Sequence, residues 1–169
     1  TGFKITSKTR YYAYLKYATE VLPEKSADLQ QISLSGTKSG ESIESYGFGQ
    51  VVSTNTYNFY RFPTRGYKTS ISFYANTPLS DFTFFDIAAS ASRIFPIKNG
   101  FLWYSSFSAR HLIPYGQEDK AYIPSSRYLR FSGAHDVRGY AYSSIGPVSD
   151  SKTVEGNLKV TFRNELVVP

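Results

Sequence analysis

Period-two alternation, carried over runs longer than most soluble strands, sets the narrowest limit on how this chain folds. Between residues 157 and 168, Leu158, Val160, Phe162, Leu166 and Val168 share one parity. Asn157, Lys159, Thr161, Arg163 and Glu165 share the other. Successive side chains of a strand point to opposite faces, so such a run has one apolar and one polar wall. Residues 101–113 repeat the pattern, with Phe101, Trp103, Phe107, Ala109 and Ile113 against Tyr104, Ser106, Ser108 and Arg110. Between residues 3 and 17 the odd positions carry Phe3, Ile5, Ser7, Thr9, Tyr11, Ala13, Leu15 and Tyr17, and the even ones Lys4, Thr6, Lys8, Arg10, Tyr12, Tyr14 and Lys16. Soluble strands usually run to roughly six residues. Helical periodicity is nearly absent.

The pattern predicts about seven strands, near residues 2–19, 27–38, 44–60, 66–77, 82–95, 101–113 and 153–168. In the fifth, alternation holds as far as Ala91 and then Arg93 falls out of phase, which predicts a bulge or a strand end. Tight connections are expected at "PLSD", at "FPTRG" and at "PIKNG", the last with an Asn-Gly turn signal. Residues 114–152 form a very long connection. A loop of that length inside a compact domain is either functional or disordered. Its aromatic residues (Tyr115, Tyr122, Tyr128, Phe131, Tyr140 and Tyr142) argue for packing.

Composition narrows the class further. The chain holds 15 Tyr and 13 Phe but one Trp, and its mean hydropathy is only −0.32. An aromatic, mildly hydrophilic chain suits a barrel whose every second residue faces water, and it suits a soluble β-sandwich as well. Strand length and the one-sided apolar faces favour the barrel, because closure leaves no unpaired backbone in lipid. An odd strand count, with ends at "TGFKIT" and "NELVVP", reads as a piece of a larger barrel. No run reaches 18 consecutive apolar residues, so no transmembrane helix is expected. The net charge of +6 is scattered rather than clustered, which does not point to nucleic acid.

Catalytic and metal chemistry find little footing. The absence of cysteine removes thiolate metal sites and Cys nucleophiles. His111 and His135 have no second ligand at metal spacing. "GTKSGES" lacks the residue order of a phosphate loop, and "GFGQVV" lacks the third glycine of a dinucleotide fingerprint. No G-x-S-x-G elbow supports a Ser-His-Asp triad around His135. The reading is therefore of a non-enzyme with neither cofactor nor metal.

The charged group that stands out is Arg138, in "LRFSGAHDVRGYAYSSIGP". A solvent-exposed loop arginine is one reading. The other is a packed loop tip whose guanidinium lies in a barrel lumen, where it needs a carboxylate for paired hydrogen bonds. Glu165 has the parity of the polar face on the strand after the loop, and Asp86 is a second candidate.

Val137-Arg138-Gly139-Tyr140, followed by Ser144-Ile145-Gly146-Pro147, resembles the loop motif of the outer-membrane β-barrel assembly superfamily, the BamA/TamA-like proteins. The lead-in "LRFSGAHD" is similar to that family's RF-x-x-GG segment, with Ala134 in place of the second glycine. "GNLKVTFRNELVVP" and "PTRGYKTSISF" resemble its following strand and an earlier turn and strand. The likeness covers residues 62–169 in motif and residues 1–61 in strand pattern alone.

The resemblance implies an antiparallel transmembrane β-barrel, here in part, with a long extracellular loop folded inward. It implies that Val137, Arg138, Gly139 and Tyr140 lock this loop in the lumen, with Arg138 on Glu165. Phe131, Gly133, Tyr142, Ile145, Gly146 and Pro147 would pack the loop. The implied activity is insertion of β-barrel proteins in the bacterial outer membrane. Its implied partners are membrane lipid, unfolded client barrels and accessory assembly subunits. A two-partner-secretion translocator or the barrel of a patatin-type fusion would share these motifs. A porin-like channel and a soluble β-sandwich are the readings outside the family.

Overall fold

The structure is a computed structural model that describes residues 2–4, 7–21, 42–117, 120–131, 133, 136–142, 144–146, 148–149, 152–153 and 156–168. Among the described residues, seven strands form one antiparallel sheet in simple neighbour order. They are β1 (Gly2–Lys4), β2 (Thr9–Val21), β3 (Ser42–Asn55), β4 (Gly66–Asn76), β5 (Phe84–Pro96), β6 (Leu102–Pro114) and β9 (Leu158–Val167). A small separate hairpin pairs β7 (Val148–Ser149) with β8 (Lys152–Thr153). β2, β5 and β6 each hold 13 residues, more than the roughly 9–11 that a tilted strand needs to cross a membrane's hydrocarbon core.

Strand register turns the alternation of each strand into two continuous surfaces. Across the sheet, Leu15 pairs with Phe48, Phe48 with Ala75, Ala75 with Phe85 and Phe85 with Ile113. Nearer the other end, Phe95 pairs with Trp103 and Trp103 with Leu166. This apolar surface is bare: Leu15 is 85% exposed and Phe162 68%. An apolar surface this continuous calls for lipid rather than water.

The opposite, inner surface is polar and built from short side chains. Ser70 pairs with Ser90, Ser90 with Ser108 and Ser108 with Thr161. The hydroxyls of Ser108 and Thr161 are 2.5 Å apart. On the β2–β4 side the rings lie over glycines. A Cβ on Gly49 would fall 2.3 Å from the Tyr14 ring, and one on Gly47 would meet Tyr74 at 2.1 Å. Glycine therefore makes room here for aromatic rings that stack on each other, 6.3 Å between centroids.

The apolar core is small and lies at one end, called here the loop end. Ile43, Phe82, Phe84, Leu112 and Ile123 are buried together, with Tyr74, Tyr122, Tyr128 and Leu129 packed against them. The β4–β5 connection locks onto β3 there. Ser80, fully buried, accepts from the Tyr46 N–H and donates to the Tyr46 carbonyl, each at 2.9 Å. At the opposite turn end, Asn99 and Gly100 both have positive φ (62° and 80°), which is the geometry an Asn-Gly hairpin turn requires.

Four strand expectations need correction, and a fifth lies elsewhere. Residues 2–19 are two strands rather than one: β1 folds back on β2, with Phe3 opposite Tyr11. The strand expected over 44–60 stops at Asn55, because Asn58 closes a wider loop. Its side-chain oxygen accepts from the Thr64 and Arg65 N–H groups at 3.0 and 3.2 Å. No bulge occurs at Arg93: pairing with β4 and β6 runs through it without a break. The last strand starts at Leu158 rather than near 153, where the β7–β8 hairpin intervenes. The strand expected over 27–38 lies outside the described residues.

Candidate functional site: the loop on the polar face

The long loop leaves β6 at the loop end and is held there before it turns inward. Tyr115 stacks on Phe85 at 4.0 Å, and its hydroxyl donates to the Asn76 carbonyl. Thr83 N–H donates to the Lys120 carbonyl at 2.8 Å. Burial raises the Tyr115 pKa above the usual phenol value, and it lowers that of Arg127 below the usual arginine value. Further along, Leu129 and Gly156 exchange both backbone hydrogen bonds, at 2.8 and 3.2 Å. This bridge joins the two limbs of the loop immediately before β9, so the described residues between them form one excursion.

That excursion returns along β9. Asp136 meets the Lys159 ammonium at 2.6 Å, with the two side chains only 18% and 19% exposed. The same ammonium donates to the Arg130 carbonyl at 3.1 Å and lies 5.3 Å from the centre of the Phe131 ring. Two residues on, the Arg138 guanidinium stands 3.2 Å from Glu165. Lys159 and Glu165 share a face of β9, separated by about 20 Å at strand rise. The loop tip therefore descends along β9 toward the turn end. Glu165 also faces Arg163, 3.6 Å away, so one carboxylate answers two guanidiniums.

The ion pairs differ in weight. Arg138 is 75% exposed, and exposed pairs are typically worth about 0–1 kcal/mol. The Lys159–Asp136 pair is shielded and backed by a carbonyl and a ring, which makes it the stronger clamp. Asp86 does not meet Arg138: Arg110 takes it with two hydrogen bonds, 2.9 and 2.6 Å.

Among the other expected loop residues, Gly133 is buried at φ +60° and accepts from the N–H groups of Asp136 and Val137. Val137, Phe131 and Ile145 are half-buried. Gly139 (φ +87°) has open space where a Cβ would lie. Gly146 is exposed, as are Tyr140 at 56% and Tyr142 at 65%. Pro147 and His135 lie outside the described residues. His111 sits on the apolar parity, between Ile87 and Leu158.

Between the loop and the inner wall lies a cavity of about 610 Å³, lined by small wall residues such as Ser90 and Ser108 and by Arg110, Arg127, Arg130 and Lys159. Sequence reasoning missed the Asp136–Lys159 clamp. The parity that singled out Glu165 also applies to Lys159, and Asp136 is two residues from Arg138, so the signal was present.

Long antiparallel strands, one lipid-suited face, a hydroxyl-lined inner face and a loop laid along it define the wall of a transmembrane β-barrel. The family comparison places it more narrowly. The model of the Omp85 superfamily domain matches residues 1–169, and the chain belongs to that superfamily. Among solved structures it is similar to a crystal structure of BamA from Haemophilus ducreyi lacking POTRA domains 1–3, at 22% sequence identity and a TM-score of 0.79. The match covers 99% of this chain and 36% of that one, so the chain spans about a third of the length of the structure it matches. At this identity the likeness speaks for the fold.

Proposed function

We propose that this chain supplies wall and loop lock to a bacterial outer-membrane barrel whose whole protein inserts other β-barrel proteins into the membrane. The observation that carries the reading is the loop's return along β9, with Asp136 on Lys159 and Arg138 at Glu165. A polar loop fixed to one inner wall braces the barrel's shape from within while a strand edge elsewhere in the protein is offered to a client. Edge pairing then supplies the client's backbone hydrogen bonds without nucleotide or covalent chemistry. Arg138 fixes where the loop tip sits along β9, and Lys159 with Asp136 supplies most of the holding force. Membrane lipid and unfolded barrel clients are the partners in this reading, together with accessory assembly subunits.

The test is insertion of a urea-unfolded β-barrel client into vesicles carrying the full-length protein, followed by heat-modifiable mobility. Arg138→Glu is expected to slow client folding, and Glu165→Arg in the same chain to restore part of it. Unchanged folding in both variants would remove the Arg138–Glu165 contact from the mechanism. Export of a soluble client would replace this reading with the secretion translocator, and ion conductance without client folding would replace it with a channel.

A further inference from the structure

Arg93 is a cation on the lipid-facing surface. It shares the parity of Ile87, Ala89, Ala91 and Phe95, and its register partners are Tyr67 and Ser105. Among the described residues it forms no ion pair; its guanidinium lies 4.6 Å over the Phe95 ring. A lipid-facing arginine is costly at the bilayer midplane and nearly free at the interface. The next outward row, Phe95–Trp103–Leu166, carries aromatic rings of the kind that settle at headgroup level. Arg93 therefore marks a headgroup plane.

The rest of the turn end has the same character. The β3–β4 loop presents Phe59, Tyr60 and Phe62 at 62%, 97% and 83% exposure, with Arg61 and Arg65 among them, also exposed. Register places Gly66 opposite Ile94, and Arg65 precedes it at the end of the β3–β4 loop. Lys98 adds a cation in the neighbouring turn. Among the described residues, Glu165 is the only acid on this half of the sheet, and it sits on the inner face with Arg138 and Arg163. Among the described residues, the outer rim at the turn end is thus basic and aromatic, with no carboxylate to neutralise it.

We infer that Arg93, with Arg65, Arg61 and Lys98 around it, binds the phosphate of an anionic glycerophospholipid in the leaflet that meets the short turns. Charge complementarity and continuity with the apolar face name the occupant: the acyl chains lie along the face and the headgroup reaches the cations. The exposed rings of the β3–β4 loop enter the same interface, where an aromatic body and polar surroundings coexist. The inference rests on the barrel reading, because it needs that face to meet lipid.

The experiment inserts the full-length protein into vesicles of phosphatidylethanolamine and phosphatidylglycerol in equal parts. The protein is then extracted in mild detergent, and the lipids it retains are counted by native mass spectrometry. The wild type is expected to retain phosphatidylglycerol over phosphatidylethanolamine. Arg93→Gln should cut that preference about fivefold, the usual weight of one cation at an anionic surface. Arg93→Lys should keep most of it. Equal retention of the two lipids by the wild type would overturn the inference. So would an unchanged preference in Arg93→Gln, or displacement of the lipid by inorganic phosphate alone. If Arg93→Gln does not insert, Arg65→Gln and Lys98→Gln in the exposed turns carry the same test. Failure to float with vesicles of either lipid would sink the barrel reading itself; floating without a preference sinks the lipid site alone.

Discussion

Removing Lys159 should free the loop tip, and removing Arg138 should barely do so. Lys159→Met keeps a long apolar side chain but deletes the ammonium that meets Asp136 at 2.6 Å and the Arg130 carbonyl at 3.1 Å. Breaking a fully buried pair costs about 3–5 kcal/mol, chiefly because the surviving charge is left uncompensated. With each side chain near one-fifth exposed, water recovers part of that, leaving about 2 kcal/mol, or roughly a 30-fold rise in the undocked population. Arg138→Ala removes a pair whose cation is three-quarters exposed, which is worth under about 1 kcal/mol and less than about fivefold. The assay is proteolysis of the loop in intact membranes under conditions where reclosing outpaces cleavage, so that the rate follows the open population. An Asp136→Asn, Lys159→Met double-mutant cycle supplies the coupling energy. If Arg138→Ala opens the loop more than Lys159→Met, or if the cycle gives no coupling, the ranking of the two contacts by burial is wrong.

Two further substitutions test the wall. Gly49→Ala drives a methyl to 2.3 Å from the Tyr14 ring and should lower resistance to urea by about 1–3 kcal/mol; pairing it with Tyr14→Ala should recover part of the loss, and a neutral Gly49→Ala would show that the ring is free to move. Ser80→Ala leaves the Tyr46 N–H without its side-chain acceptor at the loop end, so about 1–3 kcal/mol should be lost in the same urea titration, whereas an unchanged midpoint would mean that water reaches this bond.

The strands were legible because a sheet with two different faces has to write its period into the sequence. β6 and β9 show it most clearly: Trp103, Phe107, Val160 and Phe162 all emerge on one surface. Strand ends were less legible. The sequence between β1 and β2, Ile5-Thr6-Ser7-Lys8, holds no glycine or proline to announce a reversal, and the alternation reads on across it. β3 ends at Asn55 because the Thr64 and Arg65 N–H groups donate to the Asn58 side chain, which turns an apparent strand tail into a loop. Arg93 misled for a different reason. A charge on the apolar parity looks like a phase break in a soluble sheet, but at a membrane interface it keeps its phase. At the site, Glu165 shares the parity of Lys159 and Arg163 and lies 3.2 Å from Arg138. Parity does not rank contacts, however, and burial is what makes Lys159 with Asp136 the heavier pair.

The hydroxyl-lined wall has a thermodynamic consequence. Ser90, Ser108 and Thr161 offer the loop tip almost no apolar area, and the tip's own tyrosines, Tyr140 and Tyr142, are largely exposed while it is docked. Release of the tip should therefore expose little nonpolar surface beyond the half-buried Phe131, Val137 and Ile145 and carry a small heat-capacity change. Temperature would hardly bend its free energy, whereas ionic strength would weaken the exposed Arg138–Glu165 pair and act much less on the shielded Lys159–Asp136 pair. A docked state of this kind is held by a few point contacts on a smooth surface.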